Sequence, residues 1–153
     1  MTIGQSPPPA AAAAPPPAYG PPISLAAARR VMFAAEGEAD AHAWRMVIAI
    51  VDSGGNLVML HRADQANLGA IEISQRKAAS AVNFRRPTKV FEELLVAGGG
   101  GLRMLAFAPE LLPVEGGVPL IENGLVVGAI GVSGMQSFQD AQVATAGARA
   151  LGE

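Results

Sequence analysis

The chain has 153 residues, a formal net charge of −2 at pH 7 and 50% hydrophobic residues, few of them aromatic. This length fits one domain, and the weakly acidic charge argues against a nucleic-acid partner held by bulk electrostatics. Because the sequence contains no cysteine and only two histidines, it excludes disulfides, thiolate nucleophiles and a three-histidine metal site within one chain. No apolar run approaches the roughly 18 residues that span a membrane. The N-terminus lacks the pattern of a secretory signal, so we expect a cytoplasmic protein without a membrane partner.

Residues 1–22 form a Pro/Ala-rich arm without a charged side chain. Eight of the twelve prolines lie between Pro7 and Pro22. Proline fixes φ and lacks an N–H group, so the arm is expected to be extended or disordered. The folded domain is predicted to span residues 23–153, and removal of residues 1–22 is expected to leave fold and ligand binding intact.

The first half of the domain is predicted to be a helix, a hairpin and a second helix. Apolar residues recur at spacings of three and four after Ser24, a plausible N-cap. Two apolar runs, 46–51 and 57–60, flank a Gly-Gly turn and predict a β-hairpin. Residues 70–84 contain neither glycine nor proline and predict a helix that ends before Pro87.

The second half is predicted to start with a short helix at 89–96 and a flexible joint at Gly98–Gly101. Strands follow near 118–121 and 125–132, separated by a turn, and a helix runs from about residue 137 to 151. The element order is α-β-β-α-α-β-β-β-α, in which residues 102–113 are the segment left for the third strand. Strands that arrive as hairpins favour an antiparallel sheet of the α+β type, and their apolar character on both sides predicts helices on both faces.

His61 ends the second predicted strand and is followed by Arg62 and Asp64. A histidine at a strand end can ligate haem iron or another metal, act as an acid or base, or be a solvated surface residue. His42 lies where the first helix ends, a position at which a cation is favourable for the helix dipole. Both histidines are candidates, with a structural role as the alternative.

Lys77 lies on one side of its predicted helix with Ile73, Ser80 and Phe84. An amine and a hydroxyl on an otherwise apolar stripe can point into a pocket and bind a carboxylate or phosphate. The alternative is a lysine whose ammonium group reaches solvent.

Two short patterns are rejected as functional motifs. Ser74–Lys77 matches the S-x-x-K pattern of acyl-transfer enzymes, but the companion motifs of those enzymes do not occur. The glycines of Gly128–Gly134 are spaced G-x-x-G-x-x-G, which is not the dinucleotide-binding pattern. Glycines inside a strong strand mark a bulge or a place where another backbone or a flat ligand comes close.

Four segments, taken together and in this order, resemble one family. They are V51-D-S-G-G-N-L57 with R62-A-D64, I73-S-Q-R-K-A-A-S-A81 with Phe84 and R86-P-T88, G116-G-V-P-L120, and G128-A-I-G-V-S-G134 with Asp140. From about Ile23 to Leu151 the chain resembles the GlcG/HbpS family, also called the haem-degrading family, which includes the C-terminal domain of PduO-type proteins. The resemblance implies an α/β sandwich with a five-stranded antiparallel sheet, a homo-oligomer, and haem or a related tetrapyrrole as ligand.

Two functional hypotheses follow. In the first, the protein is a homo-oligomeric haem- or tetrapyrrole-binding protein in which His61, or else His42, ligates the iron and Lys77 or an arginine meets the propionates. In the second, it is a cofactor-free lyase, isomerase or hydrolase acting on a carboxylated metabolite. There Lys77 holds the anion, and His61 or Glu115 moves a proton. The residues expected to contact the ligand are His61, Lys77, Ser80, Thr88, Gly116, Gly117, Gly131 and Ser133.

Overall fold

The computed structural model describes residues 14–152 of the chain. Its elements, in chain order, are α1 (Leu25–Ala41), β1 (Val47–Asp52), β2 (Leu57–Arg62), α2 (Ala70–Phe84), α3 (Lys89–Ala97), a 3₁₀ turn (Gly99–Arg103), α4 (Met104–Phe107), β3 (Gly117–Glu122), β4 (Leu125–Ser133) and α5 (Ser137–Arg149). None of the helices in this range has the length and apolar character needed to cross a membrane.

The strands form one antiparallel sheet in the order β2-β1-β4-β3. Each outer strand pairs with its hairpin partner, and β1 pairs with β4 at the centre, so the prediction of an antiparallel α+β fold is confirmed. The prediction of five strands is wrong: between residues 14 and 152 the sheet has four. The chain between α3 and β3 forms the 3₁₀ turn and α4 instead of a strand, because its glycine run permits a tight reversal onto α3.

Helices cover both faces of the sheet. On one face α1 and α5 pack on Ile48, Ile50 and Ile130 of the central strands. On the other face α2 packs on Val51 and Ala129, which point the opposite way because side chains alternate along a strand. The sheet is therefore the middle layer, and β2 and β3 are its edges.

Part of the predicted arm is hydrogen-bonded to the sheet. β1 pairs with β4 only as far as Gly128, and beyond that point the arm takes its place beside β4. The N–H of Gly20 donates to Val126 O (2.9 Å), and the N–H of Val126 donates to Ala18 O (2.8 Å). The Tyr19 hydroxyl lies 2.8 Å from Val82 O, and Arg85 stacks 5.0 Å from the centre of the Tyr19 ring. Tyr19 thus anchors residues 17–23 on their own domain, whereas residues 1–13 of the predicted arm lie outside the described part of the chain.

Because of these contacts, two truncated variants can test the predicted domain boundary at residue 22. We expect a variant that lacks residues 1–16 to keep the melting temperature of the full chain. A variant that lacks residues 1–22 is expected to melt about 10 °C lower, because it loses three hydrogen bonds of about 1 kcal/mol each. Differential scanning fluorimetry of the three proteins measures this. Equal melting temperatures would show that the whole arm is dispensable, as the sequence alone predicts.

Candidate functional site

A cavity of about 210 Å³ lies between α1 and the paired strands β1 and β2. We call it the α1–β2 cavity. Its lining consists of Glu36, Ala39, Asp40, Trp44, Arg45, Met46, Ile48, His61, Ala63 and Asp64. The lining combines apolar side chains and the Trp44 indole with one imidazole, one guanidinium group and three carboxylates, and its charge is net negative. A flat apolar ligand with a negative charge at its edge would have Arg45 as its cationic partner there.

His61 is held at this cavity by the hairpin register and by α1. It lies opposite Ile48 in the β1–β2 ladder and therefore faces α1. Its Nδ1 is 2.6 Å from Oε1 of Glu36, and both side chains are about half exposed. Because a carboxylate only accepts hydrogen bonds, Nδ1 donates, and in the neutral imidazole the lone pair lies on Nε2. Nε2 has no hydrogen-bond partner among residues 14–152 and can bind a metal.

His42 is less available than His61. Its Nε2 is 3.2 Å from Glu38 Oε1 and 3.2 Å from Gln142 Nε2, and its ring stacks on Trp44 at 4.2 Å. The amide of Gln142 and the ring of His42 also lower the pKa of Glu38. Nε2 of His42 is thus already engaged, and His42 does not belong to the lining of the α1–β2 cavity, whereas His61 does. The geometry therefore favours His61 over His42 as a ligand at this cavity.

Lys77 is buried in an ion pair that links α2 to α5. Its Nζ lies 2.8 Å from Asp140 Oδ2 and 3.0 Å from Val132 O, and Asp140 Oδ1 accepts from the N–H of Met135 at 3.1 Å. Burial raises the pKa of Asp140, and Lys77 offsets part of that increase. The ammonium group is satisfied inside the fold, so these contacts favour a structural role over ligand binding.

The four residues Ser80, Thr88, Gly116 and Gly117 surround the same junction of α2 with β3. Thr88 Oγ1 accepts from the N–H of Gly117 at 2.9 Å, and Ser80 Oγ accepts from the N–H of Leu112 at 2.9 Å. Gly116 has φ +125°, and a Cβ added there would lie 2.8 Å from Lys77 Nζ. Ser80 thus joins α2 to the loop before β3, and Thr88, at the start of α3, is joined to the first residue of β3. Their predicted contact with a ligand stays a prediction.

Gly131, Ser133 and Glu115 also contact protein. A Cβ on Gly131 would overlap the carbonyl oxygen of Ser74, so the space predicted for a flat ligand is filled by the backbone of α2. Ser133 is buried at the end of β4, and Glu115 lies 3.5 Å from Lys89. His61 faces α1, on the other side of the sheet from α2. The structure therefore does not bring the three proposed catalytic residues of the enzyme hypothesis (His61, Lys77 and Glu115) around one cavity.

The comparisons with known proteins decide the family. A family model described as "Haem degrading protein HbpS-like" matches residues 23–149. The chain belongs to the HbpS-like family. Its predicted resemblance to GlcG and HbpS is thereby confirmed.

Relatives and solved structures agree with the HbpS-like assignment. Protein GlcG of Escherichia coli strain K12 is 40% identical over 111 residues, which cover 72% of this chain and 81% of GlcG. A double mutant of Streptomyces reticuli HbpS is 32% identical with a TM-score of 0.77, covering 94% of this chain and 100% of that one. PduOC, crystallised as a haem complex, is 24% identical with a TM-score of 0.75, covering 84% and 94% of the two chains. At that identity, PduOC shows the shared fold.

Three residues of the α1–β2 cavity were not predicted from the sequence of this HbpS-like chain. Glu36 is 25 positions from His61, and no local spacing signals that α1 delivers a carboxylate to the end of β2. Trp44 is the single tryptophan of the chain, which was an available signal, and Arg45 lies two residues before β1. Asp140 was among the residues that carry the family resemblance, but its role as the buried counter-charge of Lys77 was not predicted.

Proposed function

We propose that this HbpS-like chain is a homo-oligomeric haem-binding protein and that the α1–β2 cavity is its haem site. The observation that carries the proposal is the His61–Glu36 pair, which presents the Nε2 lone pair of an oriented imidazole at the edge of a partly apolar cavity. Carboxylate–histidine pairs of this kind orient metal ligands and raise their basicity. The family description and the haem complex of a chain with the same fold support this choice of ligand.

The lining of the α1–β2 cavity offers groups for the iron, the apolar ring and one propionate of a porphyrin. His61 would bind the iron, and Trp44, Met46 and Ile48 would contact the apolar ring. Asp40 and Asp64 also lie on the lining, so Arg45 is the group there that can neutralise a propionate. When bound, haem would supply an iron centre whose reactivity depends on its axial ligand and surroundings.

The size of the cavity predicts how exposed the haem would be. Pockets that enclose a ligand of drug size have volumes of about 300–1,000 Å³. The α1–β2 cavity, at about 210 Å³, is smaller. We therefore expect part of the porphyrin to remain exposed on a single chain, which a homo-oligomer would be able to cover.

Titration of the apo-protein with haemin tests the proposal. We expect a saturable Soret shift with a stoichiometric end point. His61→Ala should weaken binding more than tenfold, and Glu36→Gln should weaken it about tenfold because the ring loses its orienting carboxylate. His42→Ala is the matched control and should weaken binding less than threefold, since Nε2 of His42 faces Glu38 and Gln142 and the ring reaches the cavity only through its stack on Trp44.

Two outcomes of this titration would contradict the proposal. The first is a wild-type protein that shows no saturable Soret shift. The second is a His61→Ala variant that binds as tightly as His42→Ala, which would place the iron elsewhere. Circular dichroism of each variant shows whether the fold is retained, and the half-exposed position of His61 makes unfolding by this substitution unexpected.

A further inference from the structure

The turn after α1 has a conformation that brings two aromatic rings together. Ala43 has φ +55°, in the left-handed region that glycine usually occupies at the end of a helix. The N–H of Ala43 donates to Asp40 O at 3.0 Å, and the N–H of Trp44 donates to Ala39 O at 3.0 Å. These two bonds form a Schellman turn. Across this turn the ring of His42 stacks on Trp44, with the ring centres 4.2 Å apart and the planes 16° from parallel.

Trp44 connects this turn to the α1–β2 cavity. The indole lines the cavity beside Arg45 and Met46 and packs, partly buried, against the core that α1 and α5 form on the sheet. His42 does not line the cavity and reaches it through its contact with the indole. A left-handed alanine is less favourable than a left-handed glycine, so contacts such as the ring stack must hold the turn in place.

The Nε2 atom of His42 lies between one acceptor and one donor. It is 3.2 Å from Glu38 Oε1 and 3.2 Å from Gln142 Nε2. The amide of Gln142 donates to the same Glu38 oxygen at 2.7 Å, which fixes the orientation of the amide because an ionised carboxylate only accepts. With a hydrogen, Nε2 of His42 can donate to Glu38, and without one it can accept from Gln142, but it cannot do both at once. The proton state of His42 therefore selects between a partner on α1 and a partner on α5.

The charges around His42 favour its protonated ring stacking on Trp44. The hydrogen bond from Gln142, together with the hydrogen bond and charge of His42, lowers the pKa of Glu38, so that carboxyl stays ionised between about pH 5 and 8, where histidine titrates. Among residues 14–152, Glu38 is the charged side chain in contact with the ring, while α5 presents the uncharged amide of Gln142. An imidazolium would thus have a counter-charge at its edge and an indole against its face, and a cation is attracted to such a face.

We propose that His42 is a positioning residue for Trp44 and that proton binding at His42 fixes the indole as a wall of the α1–β2 cavity. The imidazolium pairs with Glu38 and attracts the indole more strongly than the neutral ring does. The neutral ring can accept from Gln142 instead and lacks this attraction. The identity of the ligand that meets this wall rests on the proposed function, but the contact of His42 with Trp44 can be tested without haem.

The fluorescence of the full chain without haem, followed from about pH 8 to pH 5, tests the proposal because Trp44 is the single tryptophan. An imidazolium stacked on an indole accepts an electron from the excited ring, so we expect the emission to fall as His42 gains its proton. His42→Phe is the matched variant, since it keeps a flat ring against the indole but cannot bind a proton, and this fall should disappear. His61→Gln removes the other imidazole of the cavity and should retain the fall.

Haemin titration at about pH 6 and pH 8 measures the consequence for the cavity. At the lower pH the wild type should bind about two- to threefold more tightly than His42→Phe, the effect expected of one exposed cation–π contact. At the higher pH the two proteins should bind equally. Because His61 titrates in both proteins, its contribution cancels in the comparison.

Three outcomes would overturn the positioning role of His42. They are an emission profile of His42→Phe that equals the wild-type profile, a fall in emission that His61→Gln abolishes, and a ratio of haemin affinities that is the same at both pH values. Circular dichroism checks the fold, and if His42→Phe is unfolded, His42→Gln, which also binds no proton, decides. A wild type that binds no haemin would contradict the proposed function, whereas the fluorescence profiles would still decide the role of His42.

Discussion

Asp140→Asn is expected to destabilise the protein by about 3–5 kcal/mol, since it leaves the buried Lys77 ammonium without a counter-charge. The two side chains are almost completely buried, and their 2.8 Å contact joins α2 to the first turn of α5. The free energy of unfolding in urea measures the effect. Glu110→Gln makes the same chemical change at an exposed position and should stay within about 0.5 kcal/mol of the wild type. A loss below about 1 kcal/mol for Asp140→Asn would show that the pair behaves like a surface salt bridge.

The complementary variant, Lys77→Met, predicts a particular pH dependence. Burial already raises the pKa of Asp140 above its ordinary value of 3.8, and Lys77 opposes that increase through its charge and hydrogen bond. Lys77→Met removes this opposition, so the pKa of Asp140 rises further. The folded state then binds the Asp140 proton more tightly than the unfolded state does. Stability is therefore highest below the unfolded pKa and falls as pH rises through the folded pKa. Lys77→Met should lose more stability relative to wild type at neutral pH than at pH values near 3.8, whereas a pH-independent deficit would contradict this account.

Gly131→Ala is expected to cost about 3 kcal/mol or more, because α2 lies directly on β4 at this point. The added Cβ would overlap the carbonyl oxygen of Ser74 and would lie 2.5 Å from Ala78 N, and backbone atoms of a helix cannot rotate away as a side chain can. The helix would have to shift off the sheet, opening the contact of Ala78 with Val51 and Ala129. Urea or thermal unfolding measures the loss.

Gly37→Ala is the matched control for Gly131→Ala. Gly37 lies inside α1, is exposed, and has no atom within 4 Å of the Cβ that alanine would add. The substitution should therefore stabilise the helix by about 0.5–1 kcal/mol. Similar effects of the two substitutions would mean that α2 is not in backbone contact with the strand.

The hairpins and the long helices could be predicted because their signals are local. The Gly-Gly turn between two apolar runs marks β1 and β2, and the apolar spacing after Ser24 marks α1. The structure confirms the N-cap of α1, because the Ala27 N–H donates to Ser24 Oγ. The absence of a fifth strand could not be predicted from local signals. Whether residues 99–107 form a strand or helical turns depends on the close approach of Gly101 to α3, which is a tertiary contact.

The candidate site could be predicted only in part for the same reason. His61 was identifiable as a chemically capable residue at a strand end, but its orienting partner Glu36 comes from another element. Lys77 was identifiable as an amine on an apolar stripe, whereas its burial depends on Asp140, which lies 63 positions away. Residue type and spacing indicated which groups can do chemistry, and the packing of α1 and α5 on the sheet determined which of them face a cavity.

The most direct test of the central claim, that His61 binds haem iron at the α1–β2 cavity, is the absorption spectrum of His61→Gly with haemin in the presence and absence of free imidazole. Without imidazole, His61→Gly should bind haemin weakly. With imidazole, the spectrum should return to that of the wild type, because the small ring fills the space beside Glu36 and supplies the missing nitrogen. A wild-type spectrum without imidazole, or no recovery with it, would contradict the claim.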